Sequence, residues 1–136
     1  MSINLNILAT NKTILNKKVN EVVLPSLSGE LGILPFHSRL LTALEIGVLR
    51  LKINDKWVPL VILDGIAEIE NNNLTIIVRQ VEELSDIKIG LEEAKLELNK
   101  ISDEFAKATT KKDKILTSIN LRRATATFQA LSFSAV

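Results

Sequence analysis

From Ile3 to about Leu84 the apolar residues fall in short runs with strand character. Ile3, Leu5 and Ile7 alternate with Asn4, Asn6 and Leu8, the period of two expected of a half-buried strand. Asn54-Asp55 separates Val48–Ile53 from Trp57–Leu63, and Asn71-Asn72-Asn73 separates Ile66–Glu70 from Leu74–Val78. Both are hairpin signals, because Asn and Asp tolerate left-handed backbone. Pro59 has no amide donor, so its strand is expected at a sheet edge or with a bulge there. Turn signals recur every ~8–12 residues, which predicts an all-β sandwich or barrel.

Beyond Asp86 the period changes. Ile87, Leu91, Ala94, Leu98, Ile101, Phe105 and Ala108 are spaced 4, 3, 4, 3, 4, 3, a helical seam with Glu92, Glu93, Lys95, Glu97 and Lys100 off it. Thr109–Asp113 breaks the seam, and Thr110 with Asp113 reads as a capping box for a second helix. That helix places Leu121, Ala124, Phe128 and Leu131 on one stripe, beside Leu116, Ile119, Ala126, Ala130 and Phe133. The pattern predicts a β unit over residues 1–86 and an antiparallel two-helix hairpin over 87–136, with Gly90 as a flexible point near the division. A hairpin this short buries little surface alone, so it is expected to lean on the β unit or on a partner, and to be able to leave it.

Composition narrows the function classes. The chain has 136 residues, 46% hydrophobic, enough for one compact core with an appendage. No apolar run approaches the ~20 residues of a membrane-spanning helix. The N-terminus enters strand pattern at once, and no signal or transit peptide is expected. Cysteine is absent, which excludes disulfide and thiol chemistry. A net charge of +1 argues against nucleic acid as a partner. From Lys107 onward, however, Lys107, Lys111, Lys112, Lys114, Arg122 and Arg123 face the single acid Asp113, so this end should seek an acidic partner in a salt-dependent way.

Catalytic chemistry is hard to assemble from this sequence. One histidine without cysteine cannot build a His-rich metal site. His37 and Ser38 are neighbours, and on a strand their side chains would diverge. The carboxylates Glu21, Glu30, Glu45, Asp55, Asp64, Glu68 and Glu70 are scattered, with no spacing that marks an acid/base couple. Gly29-Glu30-Leu31-Gly32 lacks the Lys-Ser/Thr of a phosphate loop. Trp57, Phe105, Phe128 and Phe133 read as core or seam residues, while Phe36, between Pro35 and His37, is expected in a loop. By elimination the chain is expected to be an interaction protein without catalysis of its own, and no cofactor is expected.

The segment Gly29-Glu30-Leu31-Gly32-Ile33-Leu34-Pro35-Phe36-His37 resembles the recurrent Gly-Glu-x-Gly-Ile-x-Pro-x-His of the ε subunit of F-type ATP synthases. The resemblance continues through Thr42–Arg50, Asn54-Asp55-Lys56-Trp57, Asn71–Val78 and Leu121-Arg122-Arg123-Ala124, and so covers nearly the whole chain. The segments Ile46–Arg50 and Asn54–Trp57 are similar to the plastid and cyanobacterial branch. The resemblance implies a β-sandwich followed by a helical hairpin. It implies a non-catalytic rotor subunit of the central stalk that couples proton flow through the c-ring to ATP synthesis, with the γ subunit, the c-ring and the catalytic β subunit as partners.

Carried over by motif, Glu30 and His37 would meet the polar loops of the c-ring, where an acid and a titratable base can pair with charged residues. Arg122 and Arg123 would engage an acidic loop of the catalytic subunit when the hairpin inhibits ATP hydrolysis, a task suited to guanidinium forks. Some relatives bind ATP through Ile/Leu-Asp-x-x-Arg-Ala. The run compared with it here is Ile119-Asn120-Leu121-Arg122-Arg123-Ala124, so Asn120, Arg123 and Ala124 are the weak ATP candidates, with Asn where a charged Asp is expected. Asp64-Gly65 replaces a usual Gly-Gly, and Phe36 a usual small residue. The implied place is the stromal face of a plastid thylakoid membrane, held peripherally by protein contacts; a cyanobacterial or bacterial membrane is the alternative. Rival readings are a free-standing ATP-sensing module and, last, a small hydrolase using His37.

Overall fold

The computed structural model describes residues 1–11 and 15–134. Eight strands come first: β1 (Ile3–Ala9), β2 (Leu15–Val19), β3 (Glu21–Ser26), β4 (Gly29–Ile33), β5 (Leu40–Leu44), β6 (Gly47–Ile53), β7 (Lys56–Glu70) and β8 (Asn73–Glu83). A 3-10 turn at Leu84–Asp86 leads to α1 (Leu91–Lys107) and α2 (Lys111–Ser134). The strands form a β-sandwich, and the two helices pack against each other beside it.

The alternation read in β1 is real: Ile3, Leu5 and Ile7 are buried, whereas Asn4 and Asn6 are only half-buried. β1 runs parallel to β8 and antiparallel to β2, so Leu5 lies between Leu74 and Lys17. Asn54-Asp55 has φ of 51° and 62°, and Asn71-Asn72 has 50° and 63°. These are the paired positive φ values of a type I′ hairpin turn, and they set the registers Ile53↔Lys56 and Glu70↔Asn73. At the β3–β4 turn, Gly29 has φ 117°, and the buried Ser26 hydroxyl donates to its carbonyl.

Strand β7 organises the rest. The sequence separates Trp57–Leu63 from Ile66–Glu70, but the structure joins them through Asp64-Gly65 into one strand of 15 residues. Its first half pairs with β6 and its second with β5 along one edge, while β8 runs along the other. Neither Asp64 nor Gly65 has positive φ. Gly65 is required for space instead: a Cβ there would run into the Ile77 carbonyl and lie 2.8 Å from the Val78 Cα. Asp64 points outward and pairs with Arg79 at 3.0 Å. Pro59 pairs only with Arg50 of β6, because β8 joins at Leu60↔Glu83, so the proline faces a local sheet edge as its missing donor requires.

Leu60, Val61, Ile62 and Leu63 are all buried, although a sandwich strand normally alternates. Leu60 and Ile62 enter the main core with Leu5, Leu24, Leu49 and Ile76. Val61 faces the other way and is covered by Ala126 and Ala130 of α2, with Val48, Leu84 and Ile87 around them. The hairpin therefore leans on the sandwich. Alanines let helix and sheet approach closely, yet each buried methyl-sized group contributes only about 0.8 kcal/mol.

The helical seam also needs correcting. Gly90 is an extended N-cap (φ −83°, ψ 174°), so α1 starts at Leu91 and Ile87 lies before it, packed on the sandwich side. Of the seam residues, Ala94 is buried, Leu98 and Ile101 are half-buried, and Leu91 and Phe105 are more exposed, at 37% and 40%. On α2 the buried residues are Ala126 and Ala130, while Leu116, Ile119 and Phe133 are exposed. Thr110 caps α2 as expected, its hydroxyl accepting the Asp113 amide at 3.1 Å.

Gly65→Ala should destabilise the chain by roughly 3 kcal/mol through backbone overpacking. Gly32→Ala, where an added Cβ meets nothing within 4 Å, should change stability by less than about 1 kcal/mol. Urea-denaturation midpoints of the two variants measure the contrast.

Candidate interaction surfaces

The conspicuous segment of the sequence folds as β4 plus the loop Leu34–Arg39. In that loop the His37 amide donates to the Leu34 carbonyl at 3.2 Å, closing a turn over Pro35 and Phe36. Phe36 has φ 63°, which a side chain with Cβ adopts at a cost. Its amide is held by Asn72 Oδ1 at 2.9 Å, and Asn72 Nδ2 donates to the Ser2 carbonyl at 2.7 Å. The β7–β8 turn thus anchors the loop. The anchored backbone drives apolar groups outward, with Phe36 70% and Leu34 57% exposed.

His37 and Ser38 lie in this loop, so the expectation of strand neighbours on opposite faces does not apply. The imidazole is engaged nonetheless: Nδ1 lies 2.7 Å from the Ser38 carbonyl rather than on its hydroxyl. Glu30 is not in the loop but on β4, and it pairs with Arg50 Nη2 at 3.2 Å. About 10 Å of strand separates Glu30 from the end of β4, and the carboxylate is engaged by Arg50 while the imidazole is engaged by the Ser38 carbonyl.

The helical candidates divide as well. Asn120, Arg123 and Ala124 line a cleft of about 580 Å³ between α1, α2 and the segment after β8. Arg123 Nη2 is 2.6 Å from Glu82 Oε1 of β8, an ion pair between hairpin and sandwich. The cleft also holds Asp86, Glu97 and Glu104 against Lys88 and Lys100. With its arginine engaged and carboxylates in excess, this chemistry opposes a triphosphate. Arg122 projects elsewhere, into a shallow depression with Ile46 and Gly47. Adjacent positions on a helix are ~100° apart, which is why the two arginines diverge.

A cluster around Trp57 joins β6, β7 and the end of α2. Trp57 is 42% exposed rather than core, with Lys52 Nζ 5.7 Å and the Arg50 guanidinium 5.5 Å from its ring centre. The Phe133 ring lies 5.0 Å from the same guanidinium. Counting outward from the Asn54-Asp55 turn would have placed Trp57 opposite Lys52 and diagonal to Arg50. Among the described residues no group of His, Asp and Glu could hold a metal, and no helix is long and apolar enough to cross a membrane.

A sandwich bearing a lightly attached hairpin and exposed apolar and charged surfaces describes an assembly component. Residues 2–84 match the family described as ATP synthase, Delta/Epsilon chain, beta-sandwich domain. Over nearly full length, the chain is similar to chloroplastic ATP synthase epsilon chains. It is 42% identical to that of Phaeodactylum tricornutum (98% of each chain covered) and 46% identical to that of Guillardia theta (97% of this chain, 99% of the other). The Porphyra purpurea chain is 44% identical over 96% of each. The chain belongs to the ATP synthase ε-chain family. Its fold is similar to a chain in the cryo-EM structure of the Euglena gracilis mitochondrial ATP synthase OSCP/F1/c-ring (TM-score 0.78, 19% identity, 99% of this chain and 82% of the other). It is also similar to one in the Tetrahymena thermophila mitochondrial central stalk/c-ring (TM-score 0.62, 14% identity, 96% and 97% covered).

Phe36→Gly should raise the stability of the free chain by roughly 0.5–1 kcal/mol, because glycine removes the left-handed strain and little packing is lost. Phe36→Ala, which keeps a Cβ, should give no such gain. Chemical denaturation of both variants tests the pair.

Proposed function

We propose that this chain is the ε subunit of a plastid F-type ATP synthase. In this reading it is a non-catalytic rotor component that couples proton translocation through the c-ring to ATP synthesis and restrains ATP hydrolysis through its hairpin. The observation that carries it is the full-length likeness to chloroplastic ε chains, which spans sandwich and hairpin alike. Residues 1–86 act as the attachment unit and 87–136 as the regulatory unit. The site of action is the stromal face of the thylakoid membrane, reached through protein contacts.

The surfaces fit the partners. Leu8, Ile77, Ile66 and Ala43 are successive cross-strand neighbours on the outer face of β1, β8, β7 and β5. Ile66 and Ile77 are each 47% exposed, and this apolar row is the docking face for γ. Glu30, on β4, and His37, in the loop beyond it with Phe36 beside it, are the contacts to the c-ring loops. Arg122 is the residue that reaches the acidic loop of the catalytic subunit, joined by Arg123 once the hairpin has left the sandwich. Until then Glu82 occupies Arg123 as an internal acidic partner.

Glu30→Lys should weaken attachment of the catalytic sector to the membrane in reconstituted enzyme; unchanged proton-pumping coupling would remove Glu30 from the contact. Replacing Arg122 and Arg123 by Ala should raise ATPase activity about tenfold, the loss of one or two charge-assisted contacts, while leaving γ binding intact. Inhibition that survives at low salt would defeat that assignment.

Glu82→Gln should do the opposite, strengthening inhibition several-fold because Arg123 is freed without losing its charge. Titrating the purified ATPase with wild-type and variant chains reads both effects.

A further inference from the structure

Arg50 sits where three parts of the fold meet. On β6, its Nη2 donates to Glu30 Oε2 of β4 at 3.2 Å. Its guanidinium lies 5.5 Å from the Trp57 ring centre on β7 and 5.0 Å from the Phe133 ring centre in the last turn of α2. The Arg50 side chain is 25% exposed, whereas Glu30 is 71% exposed. A guanidinium suits this place, since it can donate to a carboxylate while meeting aromatic rings with its charge. A lysine could supply the charge but not the plane. Against the sandwich, α2 is also held by the alanine pair over Val61 and by the Arg123–Glu82 ion pair, which both lie nearer the middle of the helix than Phe133. Arg50 thus reaches the last turn of α2 through Phe133.

We propose that Arg50 is a positioning residue that ties the seating of α2 to the state of Glu30. The carboxylate orients the guanidinium, and the guanidinium holds Phe133. A partner that presents a lysine or arginine to the exposed Glu30 competes with Arg50 for that carboxylate, frees the guanidinium to turn, and loosens the last turns of α2. The regulatory half of this proposal rests on the reading of Glu30 as a c-ring contact. The strut itself belongs to the isolated chain.

Hydrogen exchange of the full chain, followed by mass spectrometry, tests both halves. Arg50→Ala and Phe133→Ala should each speed exchange in the last turns of α2 about fivefold, and the double variant should be no faster than either. Protection in β1 and β8 should stay unchanged, which controls for folding. Arg50→Lys should fall between wild type and Arg50→Ala. Glu30→Gln should speed the same amides in the wild-type background and do nothing in Arg50→Ala. Additive effects, or effects confined to less than about twofold, would overturn the strut.

Purified c-ring in nanodiscs is then added. Faster α2 exchange in wild type and none in Arg50→Ala supports the coupling, and bound c-ring with unchanged exchange refutes it. If the c-ring does not bind wild type, the reading of Glu30 falls and takes the coupling with it, while the variant series alone still decides the strut.

Discussion

The structure depends on strand β7 being buried from both sides at Leu60–Leu63. On one face, Leu60 and Ile62 close the main core; on the other, Val61 lies under Ala126 and Ala130. A sandwich strand with one face in water would carry a polar residue at Val61, and the hairpin would have nowhere to rest. The same strand must also give its edge to β6 and then to β5, which is possible only because it continues past Gly65. At that crossing, β8 comes so close that only a hydrogen fits in place of a side chain. Attachment of the helices and closure of the sheet are thus two consequences of one long strand.

That strand was also the least legible part of the sequence. The Asn54-Asp55 and Asn71-Asn72 turns could be read because their backbone demand is local, and the structure gives both pairs positive φ. The alternation of β1 was readable for the same reason. Asp64-Gly65 looks like a break, and its glycine serves a neighbour in β8 that no local pattern announces. Ile87 extended the helical period by chance, since its apolar side chain is needed against the sandwich rather than along α1. Hydrophobicity alone suggests a core or seam place for Trp57, but the cross-strand register makes it a shelf for two cations. Of the candidate sites, the residues were legible from motif. Their grouping was not, because Glu30 with Arg50 and Arg123 with Glu82 are pairings between elements distant in sequence.

Phe36 illustrates how a local cost is tolerated. Its backbone is left-handed, and the surroundings over-determine it: Asn72 holds its amide while Ser2 holds Asn72. A glycine would adopt that geometry freely. The aromatic ring contributes little to the free chain, being 70% exposed. Packing of the ring within this chain therefore does little to offset the strain.

The balance of forces at the hairpin follows from the same kind of comparison. The main core buries many large aliphatic side chains such as Ile3, Leu24, Leu49 and Ile76, each contributing about 1.5–3 kcal/mol on burial. The seam beneath α2 buries two alanines against a valine, supplemented by an ion pair with one half-exposed partner and a guanidinium between rings. An exposed pair contributes about 1 kcal/mol at most, and a surface cation–π contact a similar amount. The main core of the sandwich does not depend on α2, whereas the seam beneath α2 is held by few and weak contacts. This asymmetry makes the hairpin suitable as a moving part. It also explains why its arginines are most informative in the docked state, where one is satisfied by Glu82 and the other is not.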